Sequence, residues 1–226
     1  MKAPIITIDG PAGAGKTTVS RRLAQRLGYR YVDTGALYRG IAWKADRAGI
    51  DVDDTRAVRR LLDTLRLEAV WTDDGTMRIL IDGRDVTDEL RTPHISMLAS
   101  RMSALPAVRQ CLLGLQRRLG REGGCVFEGR DMGTVVFPDA AVKIFLDASL
   151  EKRARRRHRE LGDAGQRFEE VLEDIRRRDE NDSTRRLAPL KMAEDAVRID
   201  TSALSVEEVL AEIERVVAQR RRRDAK

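Results

Sequence analysis

Residues 7–20 limit the possible folds of the chain more strongly than any other stretch, and they read Thr-Ile-Asp-Gly-Pro-Ala-Gly-Ala-Gly-Lys-Thr-Thr-Val-Ser. Within them, residues 10–17 follow the pattern of glycine, four residues, glycine, lysine and threonine that forms phosphate-binding loops. A buried-strand pattern at residues 5–8 precedes the loop, and apolar residues recur at helical spacing after it. The sequence therefore predicts a strand, a tight loop and a helix whose N–H groups converge on a polyphosphate.

The side chains of this loop supply the groups that a nucleoside triphosphate needs. Small residues let the backbone curl around phosphates, Lys16 supplies a mobile positive charge, and Thr17 can place its hydroxyl on a bridging magnesium ion. A glycine-rich turn that only joins a strand to a helix is the alternative, and the complete motif in this context argues against it. The predicted phosphate-binding residues are Gly10, Pro11, Ala12, Gly13, Ala14, Gly15, Lys16, Thr17 and Thr18.

The composition limits the class of protein. The 226 residues are enough for one large domain, and 35% of them are charged while only 4% are aromatic. Core packing must therefore use Leu, Val, Ile and Ala, which suits an α/β protein. The formal charge of +6 is compatible with nucleic acid, but arginines spread along the chain serve anionic small molecules equally well. We expect no nucleic-acid partner, and without a long apolar segment or a leader we expect neither membrane insertion nor export.

Two smaller features bear on the location of the protein and on its C-terminus. Cys111 and Cys125 lie in apolar stretches without the spacing of metal ligands, so we expect reduced core cysteines in a cytoplasmic protein. Residues 220–223 are consecutive arginines that follow the last apolar positions. Such a run is more typical of a solvated tail than of an RNA-binding arm.

Apolar runs between helical segments predict a parallel core sheet. The predicted strands are residues 5–8, 29–32, 125–127, 142–146 and 197–199. Residues 65–86 break this alternation with a period of two and with turn signals, which predicts a small antiparallel insert. A helix is predicted to begin near Pro106, and Ser205 with Glu208 forms a capping-box pattern at the start of the last helix.

Arginines near the predicted strand ends indicate a second anion site. Each one alone is more often exposed in a surface salt bridge than functional. Together they can hold a second phosphate through bidentate hydrogen bonds. The candidates are Arg39, Arg130, Arg178 and Arg185, the last two on either side of Asp182.

Several segments of the chain resemble motifs of the bacterial cytidylate kinases. They are residues 9–18, 33–39, 128–140, 143–149 and 177–186, and the resemblance extends from Ile5 to about Val209. The most specific is the third, Glu-Gly-Arg-Asp-Met-Gly-Thr-Val-Val-Phe-Pro-Asp-Ala. The resemblance implies a P-loop fold like that of the nucleoside monophosphate kinases. This fold has three layers, with a five-stranded parallel core sheet, a small antiparallel insert on the CMP side and an arginine-rich lid.

The same resemblance implies one kinase domain over residues 1–226. Its core is expected at residues 1–36, 106–150 and 169–220, the CMP-binding insert at about 37–105 and the lid at about 151–168. It also implies the reaction, which is transfer of the γ-phosphoryl group of ATP to CMP or dCMP with Mg²⁺, in pyrimidine metabolism. The expected partners are these nucleotides, and we expect the protein to be a monomer.

Carried over residue by residue, the resemblance assigns the acceptor site. It implies ribose contacts from Thr34 and Asp182, with Arg178 bracing the latter, and a phosphate clamp formed by Arg39 and Arg130. It implies that cytosine is read by Ser100, Arg109 and Asp131, with Arg185 close to the base or the phosphate. The chemistry is consistent, because the N4 amino group of cytosine donates while its ring atoms accept. Without the resemblance, a polar helix face is the simpler interpretation of residues 100 and 109.

The charge of the substrates determines the implied mechanism. A phosphate monoester is already an anionic nucleophile near neutral pH, so no general base is needed. The enzyme must instead align two anions, neutralise their charge and exclude water. The residues predicted to do so are Lys16, Arg130, Arg153 and Arg157, and a solvated basic helix is the alternative for the last two. Asp33 and Glu128 are expected to orient magnesium through water. At residue 128 the family often has Asp, so the glutamate is a departure from its pattern.

Two other classes of P-loop protein agree less well with the sequence. An adenylate or shikimate kinase would share residues 5–27, but not residues 128–140 or the cytosine-reading set. An ATPase or GTPase that acts on nucleic acid or as a switch would use the basic surface as a platform. The guanine motif Asn-Lys-x-Asp does not occur in the sequence, and aromatic residues for base stacking are few.

Overall fold

The computed structural model of the chain describes residues 2–162 and 167–224, with side chains up to residue 221. These ranges contain eight strands and eight α-helices. In chain order they are β1 Ile5–Asp9, α1 Lys16–Leu27, β2 Arg30–Asp33, α2 Thr34–Arg47, α3 Thr55–Thr64, β3 Leu67–Trp71, β4 Met77–Ile81, β5 Arg84–Asp85, α4 Pro93–Met102, α5 Pro106–Leu119, β6 Cys125–Gly129, β7 Val142–Asp147, α6 Leu150–Leu161, α7 Phe168–Thr184, β8 Val197–Asp200 and α8 Val206–Asp224. A 3-10 turn at Thr87–Glu89 and a π-helical turn at Met132–Val136 lie between them. None of the described helices is long and apolar enough to cross a membrane.

The central sheet is parallel and has the strand order β2-β6-β1-β7-β8. β1 pairs with β6 on one side and β7 on the other, so that Ile8 lies opposite Glu128 and Ile144. The carboxyl ends of β1, β2 and β6 therefore meet at one edge, where ligands bind in sheets of this type. The predicted core strands are confirmed, with ends one or two residues later than predicted.

Helices cover both faces of the sheet, which confirms the three-layer α/β architecture. α1 and α8 pack on one face through Leu23, Leu210 and Ile213. α2 and α5 cover the other face, where Leu37 and Leu112 belong to a larger core that continues into the insert. Full burial of such a side chain stabilises the fold by about 1.5–3 kcal/mol. The hydrophobic cores on the two faces of the sheet therefore fix the position of its carboxyl edge, where the sequence motifs lie.

The antiparallel insert packs against α2 and β2. β3, β4 and β5 form a three-stranded sheet, and its buried face carries Met77, Ile79 and Ile81 as predicted. Trp71 Nε1 donates to the Tyr31 carbonyl oxygen at 2.9 Å, which joins β3 to β2. The residues at 34–47 form one helix, so the insert expected at about 37–105 begins inside α2. The division into core, insert and lid remains a prediction.

The two cysteines differ in their surroundings. Cys125 is buried at the start of β6, as predicted, whereas Cys111 is exposed, so its predicted place in the core is wrong. The buried stripe of α5 runs through Val108 and Leu112, which leaves residue 111 beside the stripe and open to solvent. Both cysteines are free.

The C-terminal arginines extend the last helix. α8 continues to Asp224, so the run at 220–223 is helical rather than a frayed tail, although Arg221 is exposed. Arg221 donates to the Tyr29 hydroxyl, and Arg220 donates to the Asp195 carbonyl oxygen at 3.3 Å. Arginine has a high helix propensity, which explains why the helix continues beyond its last apolar residue. At the other end of α8, Ser205 and Glu208 form the predicted capping box.

Candidate active site

A cavity of about 760 Å³ opens at the carboxyl edge of the sheet. Its loop end is formed by residues 12, 13 and 15–18, and its arginine end by Arg39, Arg130, Arg178 and Arg185. The predicted site residues that line it are Ala12, Gly13, Gly15, Lys16, Thr17, Thr18, Asp33, Thr34, Arg39, Ser100, Glu128, Arg130, Asp131, Arg157, Arg178, Asp182 and Arg185. Set back from this lining are Gly10, Pro11, Ala14, Arg109 and Arg153. Distant motifs of the sequence thus meet around a single cavity.

The phosphate loop lies against the end of β7. A Cβ atom on Gly10 would come within 1.9 Å of the Leu146 carbonyl oxygen, and the φ angle of this glycine is +147°. Only glycine therefore lets the loop approach the strand so closely. α1 begins at Lys16, and its first turn lines the cavity. Because the first N–H groups of a helix have no partner within that helix, those of this turn are available to a phosphate.

Lys16 is a buried amine at the loop end. Its Nζ donates to the Pro11 carbonyl oxygen at 2.7 Å, so the side chain lies across the loop. Burial and the positive charge of Arg130 lower the pKa of Lys16 to about 7, although the negative charge of Glu128 opposes this shift. A bound phosphate would supply the negative charge that favours the protonated amine.

Oxygen groups at the loop end fit a magnesium ion. Thr17 Oγ1 donates to Glu128 Oε1 at 2.9 Å. Glu128 Oε2 is buried and has no well-formed hydrogen bond among the described residues, although the Tyr31 hydroxyl lies near this carboxylate. Burial and the nearby charge of Asp33 raise the pKa of Glu128 to about 7, so a cation is a favourable partner for it. Asp33 is less available, because its oxygens accept from the Ala36 N–H at 2.9 Å and from Arg39 Nη2 at 2.8 Å.

Asp182 is the centre of the arginine end. Arg130 Nε donates to Asp182 Oδ2 at 2.7 Å, and Ser100 Oγ donates to Oδ1 at 3.4 Å. Arg185 Nη1 lies 3.9 Å from the same Oδ1 atom. Burial opposes ionisation, but Arg130 and Arg185 hold the pKa of Asp182 below its ordinary value. These contacts brace Asp182, whereas the predicted brace, Arg178, adds positive charge nearby.

Asp131 connects the predicted base-reading residues. Arg109 Nη2 donates to Asp131 Oδ2, and Arg185 Nη2 donates to Oδ1 at 3.5 Å. Burial raises the pKa of Asp131 above its ordinary value, although both arginines oppose this shift. The Arg109 guanidinium lies over the ring of Tyr38, 5.9 Å from its centroid. A carboxylate held between two guanidinium groups can accept from a base amino group while they donate to ring acceptors.

Two guanidinium groups at the arginine end have unpaired nitrogen atoms. The Nε atoms of Arg39 and Arg178 are buried and have no hydrogen-bond partner within the described ranges. Burial and the charge of Arg130 lower the pKa of Arg178 to about 10. Leaving buried donors unpaired is costly, so these two Nε atoms favour the binding of an anion nearby.

The two lid arginines point in different directions. Arg157 lines the cavity, as its prediction requires. Arg153 instead turns to the loop, where its Nη1 donates to the Ala12 carbonyl oxygen at 3.1 Å and to Asp179 Oδ2 at 2.5 Å. The predicted contact of Arg153 with the transferring phosphate therefore lacks support in this geometry. The lid expected at about 151–168 includes residues 163–166, which lie outside the described residues.

The cavity also contains residues that the sequence predictions missed. Tyr38, Arg91 and Ser103 line it, and Ser103 Oγ accepts from Arg185 Nη1 at 2.9 Å. Tyr38 belongs to the motif at 33–39, so it could have been predicted as a cavity residue from that motif. Arg91 and Ser103 flank α4 and belong to no motif. The packing of α4 against α2 and α7 brings them to the cavity.

The fold and the cavity together define a class of protein. A phosphate loop with a buried lysine faces a second set of cations, which are partly or fully buried, across one cavity, so two anions can meet there. This is the arrangement of a P-loop phosphotransferase that acts on a small anionic acceptor.

Comparison with known proteins gives the family. The sequence profile of the cytidylate kinases matches residues 6–219. A cytidylate kinase of Syntrophotalea carbinolica is 50% identical over 218 residues, which are 96% of this chain and 92% of the relative. One from Geobacter sulfurreducens is 51% identical over 220 residues, covering 96% and 94% of the two chains. One from Pseudomonas fluorescens is 47% identical over 223 residues, covering 97% of each. The chain belongs to the cytidylate kinase family, and it is an enzyme that phosphorylates CMP and dCMP with ATP.

Lys16 links nucleotide binding to pH. Its pKa of about 7 in the free enzyme leaves the amine mostly neutral at about pH 8. Phosphate groups, whose second pKa is about 6, are already ionised there, and their charge favours the protonated amine. Binding of a non-hydrolysable ATP analogue should therefore take up close to one proton at about pH 8, and its affinity should fall as the pH rises above about 7.

Isothermal titration calorimetry in two buffers of different ionisation enthalpy measures this uptake. The Lys16→Arg protein is the control, because arginine remains charged throughout this range. An uptake that persists unchanged in Lys16→Arg would assign the proton to another group, such as Glu128.

Proposed function

We propose that the cavity holds ATP and CMP end to end, with the triphosphate at the loop end and the CMP phosphate at the arginine end. The supporting observation is that Lys16, Arg39 and Arg178 line one cavity, and that the Nε atoms of the two arginines have no hydrogen-bond partner among the described residues. Phosphates at the two ends would neutralise these positive charges and accept from the unpaired Nε atoms. Residues 10–18 bind the ATP phosphates in this arrangement.

The arginine end binds CMP through groups with separate tasks. Arg39 and Arg130 clamp the phosphate, while Thr34 and Asp182 bind the ribose. Asp182 accepts from Arg130 at 2.7 Å, and Thr34 Oγ1 donates to the Glu128 carbonyl oxygen at 2.6 Å. Both ribose-binding groups are thus oriented before the substrate arrives, which reduces the entropy that binding costs.

Ser100, Arg109 and Asp131 read the base, with Arg185 beside them. The carboxylate and the hydroxyl accept from the N4 amino group of cytosine, and Arg109 donates to N3 and O2. Uracil has an oxygen in place of that amino group, so two acceptors would face each other in a buried site. Leaving them unpaired costs about 1–3 kcal/mol. CMP and dCMP are therefore preferred to UMP.

Magnesium is the proposed cofactor. Thr17 and Glu128 would hold it, because oxygen ligands suit this ion and Glu128 Oε2 has no well-formed hydrogen bond within the described part of the chain. Asp33 would act through water, since its oxygens already accept from a backbone N–H and from Arg39. When bound, the ion neutralises charge on the terminal phosphates of ATP.

The residues of the chain align the substrates and neutralise charge during transfer. The CMP phosphate is itself the nucleophile, so none of these residues has to remove a proton from it. Lys16, Arg130 and Arg157 stabilise the negative charge on the transferring group. Arg153 contributes by holding the loop at Ala12. Closure of the arginine-rich lid over both nucleotides would exclude water and prevent hydrolysis of ATP.

A panel of nucleoside monophosphates tests this function. With ATP and magnesium, the enzyme should turn over CMP and dCMP at least about tenfold more efficiently than UMP. CDP and ADP should form in equal amounts, and ATP alone should be hydrolysed slowly. ATP hydrolysis at the same rate with and without CMP would contradict the proposal and would favour an ATPase.

We also propose that the enzyme works as a monomer in the cytoplasm, on nucleotides rather than on nucleic acid or a membrane. One chain supplies both ends of the cavity. Its free cysteines agree with a reducing compartment. A dimer that persists at assay concentration in gel filtration with light scattering would contradict the monomer.

A further inference from the structure

We infer that Asp179 is a positioning residue that holds the phosphate loop in place and aligns it with the acceptor site, acting together with Arg153. The inference rests on the proposed function, because it takes the loop end as the ATP site and the arginine end as the CMP site. Asp179 itself need not touch either nucleotide.

The Asp179 carboxylate reaches the loop at Ala12. Its Oδ1 accepts the Ala12 N–H at 3.3 Å, and its Oδ2 accepts from Arg153 Nη1 at 2.5 Å. The same Nη1 atom donates to the Ala12 carbonyl oxygen at 3.1 Å. One ion pair thus holds the peptide groups on both sides of Ala12, which fixes their orientation beside the cavity.

Arg153 is itself held firmly. It is a buried residue, and its Nε donates to the Ala148 carbonyl oxygen at 2.9 Å, just after β7. Gly13 packs directly against it, since a Cβ atom on Gly13 would lie 2.9 Å from the Arg153 carbonyl oxygen. The φ angle of Gly13 is +75°, so a larger residue would be strained there as well. The loop therefore rests on α6, and the Asp179 carboxylate joins this contact to α7.

The same turn of α7 also reaches the arginine end. Arg178 lines the cavity, and Asp182 accepts from Arg130 at 2.7 Å. Residues 178–182 thus contact the ATP loop through one carboxylate and the CMP site through another. This turn sets the distance between the loop and the acceptor phosphate. A change of about 1 Å in the distance between the ATP phosphates and the acceptor phosphate can lower the rate of transfer about a hundredfold.

The test is the Asp179→Asn enzyme, with Glu180→Gln as the matched control. Asparagine keeps the shape of the side chain and removes the charge that Arg153 pairs with. Glu180 is the next residue on α7 and is exposed. Calorimetry measures the Kd of a non-hydrolysable ATP analogue and of CMP, each alone. Steady-state assays give kcat, and thermal unfolding gives Tm.

Asp179→Asn should raise the Kd of the ATP analogue about tenfold and lower kcat about 10- to 100-fold. The Kd of CMP should stay within about twofold, because the Arg130–Asp182 contact is unchanged. Glu180→Gln should match the wild type in all of these quantities. If the Asn protein does not fold, Arg153→Lys supplies the same test, since it keeps the charge but not the paired contacts to Ala12 and Asp179.

Two results would overturn the inference. One is an ATP-analogue Kd and kcat in Asp179→Asn equal to those of Glu180→Gln. The other is an equal loss of affinity for CMP and the ATP analogue with a lower Tm, which would indicate general damage to the fold. The panel of monophosphates uses only the wild-type enzyme, so failure of the proposed function would appear there and not in this comparison.

Discussion

Lys16→Ala should lower phosphoryl transfer about a thousandfold or more, while CMP binds almost as tightly as it does to the wild type. Lys16 is buried at the loop end, and its Nζ lies 2.7 Å from the Pro11 carbonyl oxygen. Its charge therefore acts where the ATP phosphates bind and where negative charge shifts during transfer. A coupled assay of ADP formation measures kcat, and calorimetry without ATP measures the Kd of CMP.

Two further variants make this result specific. Lys152→Ala removes an exposed lysine on α6 and should leave both quantities within about twofold of the wild type. Lys16→Arg keeps a positive charge but not the compact ammonium group, so transfer should remain severely impaired. A Lys16→Ala enzyme that lost CMP affinity in parallel with transfer would mean that the two ends of the cavity are assigned wrongly.

The features that the sequence predicts best are made by consecutive residues. Residues 10–18 form a strand-loop-helix unit whose geometry needs little from the rest of the chain. The core strands were also predictable, but each extends one or two residues beyond its apolar pattern. The extra residues include Asp9, Asp33 and Glu128, which pair in the sheet and are 5–6% exposed. An apolar pattern detects burial in the core, whereas these carboxylates are buried at the carboxyl edge of the sheet.

Contacts between distant segments could not be predicted from local patterns. Asp9 accepts the N–H groups of Met132 and Gly133 at 2.9 and 2.8 Å, which fixes the turn after Asp131. Burial also raises the pKa of Asp9 to about 6. The composition of the lid likewise indicated a positive charge at Arg153, but not that its side chain points to the phosphate loop. The orientation of this side chain depends on Ala12 and Asp179, which lie far away in the sequence and cannot be inferred from a local pattern.

The resemblance to the cytidylate kinases contributed what local patterns lacked. From the residues alone, Ser100 and Arg109 look like a polar helix face. The structure places Ser100 on Asp182 and Arg109 on Asp131, so both belong to networks that reach the cavity. Asp131, which Arg109 and Arg185 contact, offers the most direct test of how the base is read.

Asp131→Ala should lower kcat/KM for CMP about 10- to 100-fold and should affect UMP far less. Asp131 is 2% exposed, and Arg109 and Arg185 hold its carboxylate in place. Cytosine can donate its amino group to this carboxylate, whereas uracil has no donor at that position. The ratio of kcat/KM for CMP to that for UMP, measured on the same preparation, cancels differences in the amount of active enzyme.

The ratio also separates base recognition from damage to the fold. Removing the carboxylate leaves Arg109 and Arg185 without their shared counter-charge, which is expected to cost about 3–5 kcal/mol of stability. Asp131→Asn keeps the shape and adds an amide donor that can pair with uracil, so it should shift the ratio towards UMP more than Asp131→Ala does. Asp139→Ala, at an exposed carboxylate in the same segment, should leave the ratio unchanged. Equal losses for CMP and UMP in both Asp131 variants would mean that another group distinguishes the two bases, because a carboxylate facing N4 cannot be removed without changing that preference.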